Sequence, residues 1–133
     1  MKRQIRRGTF ETNSSSVHSL TMCSQSDYDR WDNGEVILFT GSDWCYPENN
    51  KPQKNHFYTK EEVIAFEKSS KYAPSEDFDW NDDDAVMELL HENEWYDSDY
   101  YWNNYCEEYE TFEDTMVTQS GEKVVAFGYY GHD

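Results

Sequence analysis

Seven side chains in this 133-residue chain are soft enough to hold a transition metal: Cys23, Cys45, Cys106, His18, His56, His91 and His132. A structural zinc site takes four thiolate or imidazole ligands in a tetrahedron. No Cys-x-x-Cys pair is present, so the usual ribbon spacing is missing. His18 and Cys23 are five residues apart, which on a regular strand puts them on opposite faces unless a bulge or turn intervenes. The loop Asp43-Trp44-Cys45-Tyr46-Pro47 can carry Cys45 to Cys23. The candidate zinc ligands are therefore His18, Cys23 and Cys45, with His56 or Cys106 to complete the set. Buried free cysteines and ordinary histidines explain the same residues without a metal, because an unpaired Cys behaves as a small hydrophobe.

Ser14, Ser15 and Ser16 precede His18, and Ser16 and His18 share a face if both lie on a strand. No Gly-x-Ser-x-Gly elbow accompanies them, and no acid can be placed beside the histidine. A polar turn feeding a strand accounts for these residues with less, so the expectation is a protein without catalytic chemistry. Asp82-Asp83-Asp84 offers hard oxygens but lacks the glycine and the spaced ligands of a calcium loop.

Met1 to Arg7 hold four of the eleven basic residues and are expected to form an edge strand or an arm against the acidic stretch. Val17 to Cys23 alternates as a short strand. Ser24 caps a helix over Gln25–Asp32, which Asn33-Gly34 ends, and Glu35 to Thr40 reads as a buried strand. Residues 41–56 are rich in Gly, Pro and Asn and read as a long loop. Thr59-x-x-Glu62 is a capping box opening a helix to about Lys71, with Val63, Ile64 and Phe66 on its apolar side. Asn81 or Asp82 caps a further helix from Asp83 to Trp95, with Val86, Leu89 and Leu90 inward. Residues 97–106 fit neither helix nor irregular structure better. Tyr109–Thr118 and Lys123–Tyr130 form a hairpin around Gln119-Ser120-Gly121-Glu122. The expectation is one α+β domain over 1–133: a small antiparallel sheet with two or three helices.

Charge is the most one-sided property. Between Glu76 and Asp114 stand 16 of the 28 Asp and Glu residues and no Lys or Arg, so most of the net charge of −17 is concentrated there. Ten aromatic residues are threaded through the same stretch, whereas a solvated acidic tail would be poor in them. The stretch should fold, with aromatics inward and carboxylates outward. Asp82, Asp83, Asp84, Glu107, Glu108 and Glu110 concentrate charge beside aromatic anchors and are the candidate partner contacts. A pI near 4.4 excludes direct binding of nucleic-acid phosphates and points to a basic protein surface as partner. No apolar run reaches the ~20 residues of a membrane span, and the start lacks a signal-peptide core. With three cysteines, an odd number, this places the expected site of action in a reducing cytoplasm.

Arg7-Gly8-Thr9-Phe10-Glu11-Thr12-Asn13-Ser14-Ser15-Ser16-Val17-His18-Ser19-Leu20 resembles the opening of a family of small phage and prophage proteins that begin with Phe-Glu-Thr-Asn-Ser-Ser-Ser-x-His-Ser. The resemblance continues through Cys23, Tyr28, Trp31 and Asn33-Gly34 and returns at Ser120 to Gly128. It implies phage origin. For a small, acidic, aromatic-rich phage protein that in turn implies a host-defence inhibitor, a type II anti-CRISPR protein or another DNA mimic, acting in the host cytoplasm on a Cas nuclease. RNA-guided nucleases hold their nucleic acids in long basic channels that a surface of carboxylates could occupy. The alternative is a small zinc-stabilised structural or regulatory phage protein with no DNA-mimic role.

Overall fold

The computed structural model describes residues 5–6 and 17–130. Ser14, Ser15, Ser16 and His132 lie outside them, as do the side chains of Val17 and His18. The architecture is α+β, as the sequence suggests, but the strands divide into two sheets. Strand β1 is Ile5–Arg6, β2 is Val17–Ser24, β6 is Glu110–Val117 and β7 is Lys123–Tyr130. They form one sheet in the order β1-β6-β7-β2, antiparallel except for β1, which runs parallel to β6. The basic N-terminal segment thus does place an edge strand on the acidic stretch, with Ile5 opposite Thr111 and Arg6 opposite Phe112. The second sheet is antiparallel, in the order β4 (His56–Tyr58), β3 (Ile37–Phe39), β5 (Trp95–Tyr96).

Local chemistry sets the helix boundaries. Helix α1 (Gln25–Asp32) starts where the Ser24 hydroxyl accepts from the Asp27 amide at 3.1 Å. It ends in a paired-bond turn: Glu35 N–H donates to Arg30 O at 2.8 Å and Gly34 N–H to Trp31 O at 3.1 Å, with Gly34 at φ +82°. Helix α2 (Lys60–Ser69) carries the full capping box between Thr59 and Glu62. Helix α3 (Asp83–Glu92) is capped by Asp82, whose carboxylate accepts from Ala85 N–H at 3.2 Å. It stops three residues short of Trp95. Glu94 turns the chain out at φ +69°, and its carbonyl accepts from Thr40 N–H at 2.9 Å, so Trp95 and Tyr96 pair with β3 instead. The unsettled segment resolves into a short helix α4 (Ser98–Tyr100) followed by a π-helical turn over Tyr101–Tyr105. The loop after β3 also yields a strand that its composition conceals, β4.

Two buried clusters hold these elements together. In the first, α1 lays Tyr28 and Trp31 against Val125, Phe127 and Tyr129 of β7, with Tyr101 and Trp102 of the π-turn closing over them. Trp31 is fully buried, stacks on Phe127 at 4.8 Å between ring centroids, and donates its indole N–H to Tyr96 O at 3.1 Å. In the second, Phe39, Tyr46, Val63, Val86, Leu90 and Trp95 pack between the second sheet, α2 and α3.

β2 carries a bulge at its start: Val17 pairs with Tyr130 and Ser19 with Tyr129, leaving His18 over. Nearby, a Cβ on Gly128 would stand 1.9 Å from Ser19 O and 3.1 Å from the Phe112 ring. Backbone cannot yield that distance without breaking the β2–β7 ladder. Gly128→Ala is expected to destabilise the fold by about 3 kcal/mol or more. An unchanged urea midpoint would show the strands to be more loosely held than this geometry requires.

Candidate functional site

The 76–114 stretch is folded, and it sorts its side chains by type. All ten aromatics are buried or half-buried, among them Trp95, Tyr96, Tyr101, Trp102 and Phe112 in the buried class. Of its 16 acids, 12 are exposed, four are half-buried and none is buried. Helical spacing achieves this on α3, where Val86 and Leu90 point inward while Asp84, Glu88 and Glu92 stay in water. Beyond β5, the Asp97 carboxylate caps α4 by accepting from Tyr100 N–H at 2.8 Å, and Asp99 accepts from the Asn103 amide at 2.8 Å. The π-turn is closed by Cys106 N–H donating to Tyr101 O at 2.9 Å, a wider turn than an α-helix allows. It buries both Tyr101 and Trp102 and lets the Tyr105 hydroxyl meet that of Tyr129 at 2.9 Å.

The six candidate contacts fall into two groups on different elements. Asp82, Asp83 and Asp84 open α3, over the second cluster; all three are exposed. Asp82 is engaged as the cap, and Asp83 meets Lys60 Nζ at 3.0 Å, an exposed pair that screening makes weak. Glu107 and Glu108 are exposed in the turn after the π-helix, and Glu110 is half-buried at the start of β6, paired with Tyr130.

The candidate metal ligands are distributed differently. Cys23 packs half-buried against the first cluster and Cys45 against the second. The bulge that a shared metal would need between His18 and Cys23 is present at His18, whose side chain lies outside the described residues. Among the described residues no three His, Cys, Asp or Glu side chains gather closely enough to hold a metal ion. Cys23 and His56 do line one cavity of about 220 Å³ together with Asp27, Arg30 and Glu62. Burial, reinforced by Asp27 and Asp29, pushes the Cys23 thiol up to about 12, so it stays protonated near neutrality.

One buried carboxylate had no place in the sequence reading. Glu67 of α2 is 1 % exposed and sits at the centre of the second cluster. It accepts from the Tyr46 hydroxyl, from the Trp95 indole N–H at 3.0 Å and from the Asn93 amide. Its signal was available: Glu67 stands one helical turn after Val63, on the stripe that faces the core. Comparison of the chain with protein-family models, with curated proteins and with solved structures finds no match. Among the described residues no helix is long and apolar enough to cross a membrane.

Two stability predictions follow from this chemistry. Glu67→Ala leaves the buried Tyr46 hydroxyl without its acceptor, the Trp95 indole with only that hydroxyl at 3.4 Å, and the half-buried Asn93 amide unpaired; at about 1–3 kcal/mol for an unpaired buried donor it should cost at least about 2 kcal/mol, with Glu67→Gln less damaging. Equal urea midpoints for wild type and the alanine variant would show that these bonds contribute nothing net. The second concerns pH. Burial raises the phenols of Tyr46, Tyr96, Tyr101, Tyr105 and Tyr129 above 10.0 and the Cys106 thiol from 9.0 to about 12. The fold therefore binds these protons more tightly than the unfolded chain does. Their contribution is complete below pH 9 and is lost as pH rises through 10 towards 12 and beyond. Urea midpoints should fall steeply above pH 10 in step with phenolate absorbance; a flat profile to pH 12 overturns the account.

Proposed function

We propose that this chain is a phage-encoded host-defence inhibitor of the anti-CRISPR type. It binds a basic DNA- or RNA-handling surface of an RNA-guided Cas nuclease through its carboxylate-rich surface, without turnover. The observation that carries this reading is the sorting within residues 76–114: 16 acids, none buried, held over aromatics of which none is exposed. Uncompensated carboxylates on a folded surface repel one another, and a basic partner relieves that repulsion. Duplex DNA presents one charge per ~1.7 Å of axis, and the proteins that hold it answer with Lys and Arg that a rigid acidic surface can engage instead. The nuclease class is suggested by the resemblance of the N-terminal segment to phage proteins.

The contacts are Asp82, Asp83, Asp84, Glu107, Glu108 and Glu110. Asp82 also caps α3, at a cost of about 1 kcal/mol if replaced, so the test uses exposed acids that leave the cap intact. A triple variant Asp84→Lys, Glu107→Lys, Glu108→Lys should remain folded and bind the nuclease at least about tenfold more weakly, chiefly through slower association at low salt. Affinity of the wild type should decline as salt rises. If the folded variant inhibits as well as wild type, the acidic-surface mechanism is wrong. If wild type inhibits no member of a panel of Cas nucleases, the assignment falls.

A further inference from the structure

Strand β2 is the outer strand of the first sheet, and β4 is an outer strand of the second. Both line the cavity of about 220 Å³, β2 through Met22 and Cys23 and the second sheet through the unbroken run 55–59 that contains β4. The direction of the β2 main chain is fixed at two points. Ser19 O is turned towards β7, where a Cβ on Gly128 would stand 1.9 Å from it. Leu20 O is turned the other way and accepts from the Asn55 amide at 3.2 Å. Main-chain groups alternate from side to side along a strand, so Met22, two residues on, turns its N–H and C=O outward as Leu20 does. Among the described residues nothing outside the first sheet bonds to the Met22 main chain.

Asn55 shows what fits this edge. A carboxamide carries the same donor and acceptor as a peptide group, and that of Asn55 stands where the first rung of an added strand would be. Edge strands are commonly guarded by charged residues or proline, and the eight residues of β2, VHSLTMCS, contain no Lys, Arg, Asp, Glu or Pro. The cavity is smaller than the about 300–1,000 Å³ that encloses a whole small molecule, so it suits a short length of extended chain that continues beyond it. Charge then selects the chain. A second copy carries −17 and is repelled, whereas a basic segment is drawn in. Asp27 and Glu62 bring carboxylates to the cavity, and its one arginine, Arg30, lies 3.9 Å from both Asp27 and Glu35. We propose that an extended segment of the partner, bearing lysine or arginine, adds to β2 as a further strand. Its main chain bonds to Met22, and its basic side chains lie near Asp27 and Glu62. The inference rests on the reading above that the partner is basic, and it adds main-chain pairing to the contacts made by the acids.

The test uses the full chain and the peptide acetyl-Lys-Val-Lys-Val-Lys-amide. Its control is the same peptide N-methylated at every amide, which keeps the charge and removes the main-chain donors. The unmethylated peptide should bind at least about fivefold more tightly, roughly what one net hydrogen bond is worth. At saturation it should slow hydrogen exchange of the Met22 amide at least about fivefold, and change the neighbouring Thr21 and Cys23 amides, which face β7, much less. Met22→Pro removes the outward donor at a position where an edge strand tolerates proline, and should lose at least about fivefold in affinity for the peptide. Thermal melting checks that this variant is folded; if it is not, the two peptides and the wild-type exchange rates decide alone. Equal binding of the two peptides, an unslowed Met22 amide, or a folded Met22→Pro variant that binds as wild type does each overturn the proposal. So does a Met22 amide that becomes protected without peptide as protein concentration rises, which gives the edge to a second copy. No nuclease enters these measurements, so failure here and failure of the nuclease panel are told apart.

Discussion

The structure turns on the burial of one indole. Trp31 stacks on Phe127 in the middle strand pair of the first sheet and packs at 5.6 Å against Phe57 of the second. Its N–H donates to the carbonyl of Tyr96, also in the second sheet. A single side chain on an eight-residue helix therefore stacks on one sheet and hydrogen-bonds to the other. Everything else in the first cluster is arranged around it: Tyr28 and Tyr101 meet it edge-on, and Trp102 leans across it. An indole does this where a leucine would not, since it combines large apolar area with one directed polar bond.

That arrangement explains how a chain of mean hydropathy −1.07 folds while carrying a net charge of −17. Tyrosine and tryptophan supply apolar area, and some of them meet a polar partner inside, as the Tyr105–Tyr129 hydroxyl pair and the Trp31 indole do. The carboxylates are then left on the outside. Among the described residues Glu67 is the buried exception and confirms the logic: a phenol, an indole and an amide converge on it. Through Asn93 and Trp95 it also fixes where α3 gives way to β5. The interior thus sets where the acidic stretch bends.

Much of this was legible in local chemistry. Ser24, Thr59 and Asp82 declared three helix starts, Gly34 one helix end, and the glycine-containing turn between 109–118 and 123–130 the hairpin. What escaped were elements decided by distant partners. His56–Tyr58 is a strand only because β3 pairs with it, and Asn55 helps by entering at φ +64° and bonding to Phe39 O. Trp95 continues the helical pattern of α3 on paper, but pairing with Phe39 overrides it. The acidic stretch was readable as a charged, aromatic-backed surface. Its division between α3 and the turn before β6 was not, because nothing local says on which cluster each acid will sit. Nor does anything local say that Cys23 packs against the first cluster and Cys45 against the second.

The first sheet ends in β2, an outer strand eight residues long with Leu20 and Met22 exposed at 44 % and 52 %. Such an edge is a template for pairing with another copy. Asn55 blocks one point of it, donating to Leu20 O at 3.2 Å. A further protection is colloidal: copies of so acidic a protein repel before their edges can meet. That safeguard belongs to the solvent as much as to the fold. It vanishes as pH approaches the isoelectric value near 4.4, where the strand edge stays and the repulsion does not.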